Sequence, residues 1–486
     1  MDANAIEQFK GLILQLMEPD NEKRSQGESV YSHTKQEFPG QLLLSLVQLS
    51  TTPNTEGSVR NMSLIMLRQE LVRSDNWVFA RVSAEIQEHV KKTLLSGLQQ
   101  EENELFSTRL KDVISALASS LLSEGQWGEI LPFLLELAGS SAEIHRIAAM
   151  DIFSHISTRC RSVLIQSMNV MVKVLQAGLL DDSVRVRVAA FGTGVGLLSA
   201  CRTQEEQAPL QPLFPGMLQS IALALNSGDM ESANQGLDNL VALCERETDF
   251  VRPSIYGVYK AMVSIMGSEE VDERTRHLAM ECPVTLAEAR PALCRKIPDF
   301  LEGLIPVLLE WNSHLEDNER WNDGEKFDAE DLDVAIAEDS IDRLSIALGG
   351  ETFAPIMFSA VQQTLQHPNW RVRHSGLMAM SVSAEGSAKY LRDHLDQVVA
   401  MVVPFFKDEH PRVRWAACNC IAQMSSDFGR SLTERYHGEI VPVLVTILAD
   451  PVMVNHPRVL AHAASAVINF SESSEKEFLL PYLKPL

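Results

Sequence analysis

A Val-Arg pair followed by small apolar residues returns along this chain at nearly even intervals, and a chain that repeats itself this way has few folds open to it. The clearest copies are HPNWRVRHSGLMAMSVSAEG (367–386), HPRVRWAACNCIAQMSSDFG (410–429) and HPRVLAHAASAVINFSES (456–473). Each places His-Pro in a turn and an Ala-rich apolar helix after it; proline ends one helix and is tolerated where the next begins. DDSVRVRVAAF (181–191) keeps the register, and SVRNMSLIMLRQEL (58–71), AEIHRIAAMDIF (142–153) and VDERTRHLAMEC (271–282) are weaker copies. With the arginine as marker, Arg24, Arg60, Arg109, Arg146, Arg187, Arg276, Arg373 and Arg414 head successive units. Asn234-Gln235 fills the slot before Arg276, and Leu460 the slot after Arg414.

The spacing runs from 36 to 49 residues apart from one interval of 97. That is the roughly 40–47-residue period of HEAT and armadillo hairpins, which cannot bury their apolar face alone and must stack. Aromatics are only 6% of the 486 residues and few segments alternate with period two, which disfavours strands. The predicted fold is all-α, a right-handed α-α superhelix (solenoid) of about eleven HEAT repeats. An aspartate in the turn between helices can cap the second helix or accept a charged hydrogen bond from the arginine of a neighbouring repeat. The Val-Arg pairs are therefore structural. GTGVG (192–196) lacks the Lys-Ser/Thr of a phosphate loop and follows a helix start, so close helix packing explains it.

The 97-residue interval holds LEDNERWNDGEKFDAEDLDVAIAEDSIDRL (315–344), with 12 acidic and 2 basic residues between Glu316 and Asp342. It is predicted to be an acidic loop over 316–339, with a helix resuming near Ser340. Its carboxylates Glu316, Asp317, Glu319, Asp323, Glu325, Asp328, Glu330, Asp331 and Asp333 would offer a contact to a basic partner. The whole chain carries a net charge of −23, which makes nucleic acid a poor partner and a basic one natural. The seven cysteines have no CxxC spacing and read as reduced thiols. The N-terminus is not a signal peptide, and no apolar run approaches the ~18 residues of a membrane span. A soluble intracellular protein is expected. No metal-ligand spacing, nucleophile elbow or kinase signature appears, so catalytic, cofactor-binding and metal-binding residues are all read as none.

The second helices of the last repeats carry polar stripes. Asn419, Gln423, Ser426 and Asp427 recur at helical spacing on one apolar helix, Ser465, Asn469 and Glu472 on the next, and Ser381 and Glu385 near the end of the one before. Stacking would gather them on the concave surface as a ladder of amides and carboxylates for an extended lysine-bearing peptide.

The chain resembles the N-terminal half of a karyopherin-β (importin-β superfamily) nuclear transport receptor of the importin beta-3 branch. The resemblance rests on PDNEKRSQGE (19–28), WNDGEKFDAEDLD (321–333), LGGETFAPIM (348–357), HPNWRVRHSGLMAMS (367–381), HPRVRWAACNCIAQMSSDF (410–428) and AHAASAVINFSE (461–472), whose order follows the family over essentially the whole chain. It implies a monomeric receptor, with no cofactor, shuttling between cytoplasm and nucleus. Such a receptor takes basic nuclear-localisation segments on its concave face, contacts Phe-Gly nucleoporins and releases cargo to Ran-GTP. Ran contacts are implied within 1–150, where the helix with Arg68 and Gln69 fits the pattern, and cargo contacts at Glu385, Asp427 and Asn469. The expected divisions are 1–150 (N-terminal, Ran-binding repeats), 151–315 (middle repeats), 316–339 (acidic loop) and 340–486 (cargo-binding repeats). Family members are about twice this long, and the chain stops inside a repeat at LLPYLKPL, as a truncated receptor would. A HEAT scaffold that organises an enzyme complex is the alternative, and it predicts partner binding indifferent to the nucleotide on Ran.

Overall fold

Every regular element among the described residues of the computed structural model, which are 3–317, 321 and 332–482, is a helix. The chain is an all-α HEAT solenoid, and it falls into two units, Met1–Asn239 and Leu240–Leu486. In the first, Ala3–Leu16 pairs with Asn21–Glu37, Pro39–Thr51 with Gly57–Leu71 and Ala84–Gln100 with Glu104–Leu121. Ile130–Ala138 then pairs with Glu143–Ser157 and Met168–Leu179 with Val184–Ala200. Phe214–Ser227 precedes Met230–Arg246, the helix in which the division between units falls. In the second unit Ile255–Met266 pairs with Glu273–Ala289, Phe300–Trp311 with Leu332–Leu348 and Gly350–Thr364 with Trp370–Val382. Ala384–Asp393 and Leu395–Val402 together face Pro411–Phe428, and Arg430–Ala449 pairs with Pro457–Glu472.

The marker residues all fall in second helices. Arg24, Arg60, Arg146, Arg187, Arg276, Arg373, Arg414 and Leu460 are each the fourth residue of theirs. In Leu332–Leu348 that slot holds Ala335, which is why the marker vanishes there. The 97-residue interval is thus an ordinary hairpin with an insertion between its two helices.

One boundary needs correction. The acidic loop does not run to 339, because helix begins at Leu332 and not near Ser340. The apolar stripe that builds it is Val334, Ala337, Ile341, Leu344 and Leu348, all buried and spaced at three and four residues. Asp333, Glu338, Asp339 and Asp342 interleave with that stripe, and their density hid it in the sequence. Of the predicted loop carboxylates, Glu319, Asp323, Glu325, Asp328, Glu330 and Asp331 lie outside the described residues.

The expected Asp-Arg ladder forms in part. Arg146 binds Asp181 through Nε at 2.7 Å and a terminal nitrogen at 2.9 Å, and Arg373 binds Asp408 in the same fork at 2.8 Å twice. Each rung joins one hairpin to the next, and each arginine also donates to the carbonyls of its own turn. Asp181 and Asp408 do not cap the helices themselves. They order the turn by accepting the amides of Ser183 and His410, and those two residues are the caps. Pro411 and Pro457 stand at the first helical position, but Pro368 lies outside its helix, where Asn369 is the cap.

Packing explains the glycines of GTGVG. A Cβ on Gly194 would meet Met217 at 2.3 Å, and one on Gly196 would meet the carbonyl oxygen of Ser154 at 2.9 Å. All seven cysteines are buried and free. No described helix is long and apolar enough to cross a membrane.

Candidate binding face

In the second unit, helices of successive hairpins bring three carboxylates into one electrostatic neighbourhood. Asp342 comes from Leu332–Leu348, Glu385 from the first turn of Ala384–Asp393 and Asp427 from the last turn of Pro411–Phe428. Glu385 is therefore not at the end of the helix before it, which stops at Val382, but opens the next after a break at Ser383. Burial raises the Asp342 pKa above the usual carboxylate range, and Glu385, Asp339 and Asp427 raise it further. Burial likewise raises Asp427; a hydrogen bond from Gln423 opposes this, Glu385 reinforces it, and Arg392 opposes it.

Neither Arg343 nor Arg392 forms an ion pair with these three carboxylates. Arg343 is committed to Glu281 at 2.8 Å, Glu288 at 2.7 Å and Asp339 at 3.2 Å. Arg392 gives a hydrogen bond to the backbone oxygen of Asp427, at 2.9 Å, and not to its carboxylate. The protein holds like charges together here at a cost in stability, and a bound cation would offset that cost.

Amides line the same face. Asn419 Nδ2 donates to Ser381 Oγ at 3.2 Å, and Asn469 Nδ2 reaches the carbonyl of Ala422 at 3.4 Å. These bonds cross from one second helix to the next, so the predicted stripes do meet. Exposed Gln423 donates to Asp427 at 3.1 Å, and Ser426 bonds back to Ala422 at 3.4 Å. In the first unit, Arg68 and Gln69 are exposed at the end of Gly57–Leu71, beside a buried Glu70 that accepts from Tyr31 at 2.9 Å and Lys35 at 2.9 Å.

Three candidate carboxylates of the predicted acidic loop lie among the described residues. Glu316 and Asp317 are exposed, but Asp333 is buried, hydrogen-bonded by His277 and His314. Arg371 donates to the carbonyl of Leu315 at 2.6 Å. Arg412 and Arg458 lie over the Trp321 ring at 5.2 and 5.4 Å, and Trp415 meets that ring edge-on at 6.2 Å. The insertion therefore rests at Leu315 and Trp321 on arginines from three consecutive hairpins. Those arginines stand two residues before the repeat markers, in Arg371-Val372-Arg373, Arg412-Val413-Arg414 and Arg458-Val459-Leu460. A second recurring arginine was thus readable in the sequence; Asp342 had no such signal.

Comparison with known proteins fits this architecture. A family model described as "IPO5-like, TPR repeats" matches residues 102–261, one described as "Importin repeat" matches 268–355, and a "HEAT-like repeat" matches 370–424. Importin subunit beta-3 of Saccharomyces cerevisiae is 26% identical over 502 residues, covering 99% of this chain and 45% of its own length. A probable importin-5 homolog of Dictyostelium discoideum is 25% identical over 79% of this chain and 36% of its own length. The crystal structure of Kap121p bound to RanGTP superposes with a TM-score of 0.85 at 24% identity, covering 100% of this chain and 46% of that one. The chain spans about half the length of these relatives.

Proposed function

Since this chain belongs to the karyopherin-β family, in its importin beta-3 branch, we propose that it is the part of a nuclear import receptor that captures lysine-bearing segments. Members of that family are transport receptors and not enzymes. The carrying observation is the crowding of Asp342, Glu385 and Asp427, none of which forms an ion pair among the described residues. Packed helices are roughly 8–10 Å apart and an extended chain rises about 3.3 Å per residue, so lysines about three residues apart would each meet one carboxylate. Asn419, Gln423, Ser426 and Asn469 would hold the peptide backbone between them.

Other solved forms of Kap121p support this reading. One variant replaces an aspartate, a glutamate and an aspartate by lysine at intervals of 43 and 42 residues. Positions 342, 385 and 427 here have the same residue types in the same order at the same intervals. Kap121p has also been solved with Pho4p and with Nup53p. By extension we assign this chain basic cargo, Ran-GTP with Arg68 and Gln69 among its contacts, and Phe-Gly nucleoporins as partners, in a receptor moving between cytoplasm and nucleus.

Two experiments bear on this. Ran loaded with GTP should bind the chain and displace a fluorescent lysine peptide in anisotropy titrations, while Ran-GDP does neither; equal behaviour of the two forms would favour a constitutive scaffold. Asp427→Asn and Asp342→Asn should weaken the peptide yet raise the thermal midpoint at pH 7. The sign follows from linkage: a carboxyl whose pKa is raised on folding adds stability while protonated and loses it as pH rises through that pKa. The stabilisation by Asn should therefore fade at acid pH, and peptide affinity should fall as pH drops through the raised range. A lowered midpoint at pH 7 in both variants would mean these carboxylates are structural.

A further inference from the structure

A second cluster, away from the binding face, has the chemistry of a metal site. Glu273 and His277 stand one turn apart on Glu273–Ala289 and so share a side of that helix. Asp333 opens Leu332–Leu348, and His314 follows Phe300–Trp311, so the two flank the acidic insertion. His277 Nε2 lies 2.5 Å from one oxygen of Asp333 and His314 Nδ1 lies 2.6 Å from the other. Glu273 Oε1 is 4.0 Å from His277 Nε2, and ligand atoms of Glu273, His277 and Asp333 all fall within 4.8 Å of one another. His277 and Asp333 are buried, and Trp311 closes one side with its ring 5.2 Å from the His277 imidazole.

We propose that Glu273, His277 and Asp333 form a divalent-metal site, with zinc the best-suited ion, in which His314 orients Asp333 through its second oxygen, so that the site ties the two flanks of the acidic insertion to the preceding hairpin. One imidazole and two carboxylates, with water in the fourth position, suit a borderline ion that accepts four tetrahedral ligands at about 2.0–2.2 Å. Calcium and magnesium, which take six or more oxygens, fit this donor set poorly. Donors on such an ion sit roughly 3.3 Å apart. His277 would therefore move off its Asp333 oxygen by less than 1 Å, exchanging a hydrogen bond for a metal bond, exposed Glu273 would turn in, and His314 would keep its hydrogen bond to the other Asp333 oxygen. Trp311 keeps bulk water from the His277 side, which raises the strength of the metal–carboxylate attraction.

The test is titration of the metal-free full chain with ZnCl2 by calorimetry and with Co2+ by visible absorption, at pH 7.5. One equivalent should bind, Co2+ should give the intense d–d bands of a tetrahedral site, and zinc should raise the thermal midpoint. Glu273→Gln, His314→Ala and Asp333→Asn should each weaken binding at least tenfold. Circular dichroism checks that each variant is folded; Glu273 and His314 are more than a third exposed, so those two decide the matter if Asp333→Asn unfolds. The proposal is overturned by the absence of one-to-one binding, by unchanged affinity in folded Glu273→Gln and His314→Ala, or by tighter binding of calcium or magnesium than of zinc.

Discussion

Asp342→Lys, Glu385→Lys and Asp427→Lys combined in one chain are expected to abolish binding of a lysine-bearing peptide while leaving the helical content intact. A hydrogen bond to a charged group is worth about 1.5–3 kcal/mol, so each lost contact weakens binding roughly tenfold to 150-fold. Reversal adds repulsion to the loss. The three sites share one neighbourhood and will not add independently, but a loss beyond about a thousandfold is expected from the triple change. Asp427→Lys should be the most damaging single change and Glu385→Lys the least, since Asp427 is half-buried and Glu385 is exposed. Anisotropy titration at two salt concentrations measures both the affinity and its electrostatic share. A triple variant that still binds within tenfold of the parent would falsify the assignment of this face.

The second large effect concerns stability of the first unit. Arg60 and Glu101 form an ion pair with side chains only 4% and 6% exposed. Arg60 Nε also donates to the carbonyl of Ser50 at 2.8 Å, Glu101 accepts the amide of Asn103 at 2.9 Å, and the Phe106 ring lies 4.2 Å from the guanidinium. Two successive hairpins meet at this one arginine. Arg60→Met keeps the bulk but leaves a buried carboxylate with no cation, which costs about 3–5 kcal/mol. Urea unfolding should register that loss. Adding Glu101→Gln should recover much of it, because a neutral amide costs less to bury than an unpaired charge. If the double change is as unstable as the single one, the penalty lies in lost packing against Phe106 and not in the stranded charge.

The repeat architecture was legible because it is written in spacing. A residue needed at the fourth position of every second helix leaves a mark every forty or so residues, and that mark aligned Asn419, Gln423, Asp427 and Glu385 before any coordinates were needed. Asp342 escaped because it sits among eleven other carboxylates, and only the buried positions Val334, Ala337, Ile341 and Leu344 reveal that a helix begins at Leu332. The His277, His314 and Asp333 cluster was out of reach for another reason. Its members are 19 and 56 residues apart and belong to no repeated position, so only the closure of the inserted hairpin brings them together. Trp321 is a similar case, since its partner Arg458 is 137 residues away.

That last separation has a mechanical meaning. In a stack of hairpins each unit touches only its neighbours, so the array bends like a spring and can peel from an end. Trp321 belongs to the hairpin Phe300–Trp311/Leu332–Leu348 yet bears on Arg412 and Arg458, two and three hairpins further on. It acts as a strut laid across several coils. Pulling on the last hairpin must load that strut before the coils beneath it can part, so the stretch from 300 to 472 should resist flexing and come apart in one step, while stretches without a strut yield coil by coil.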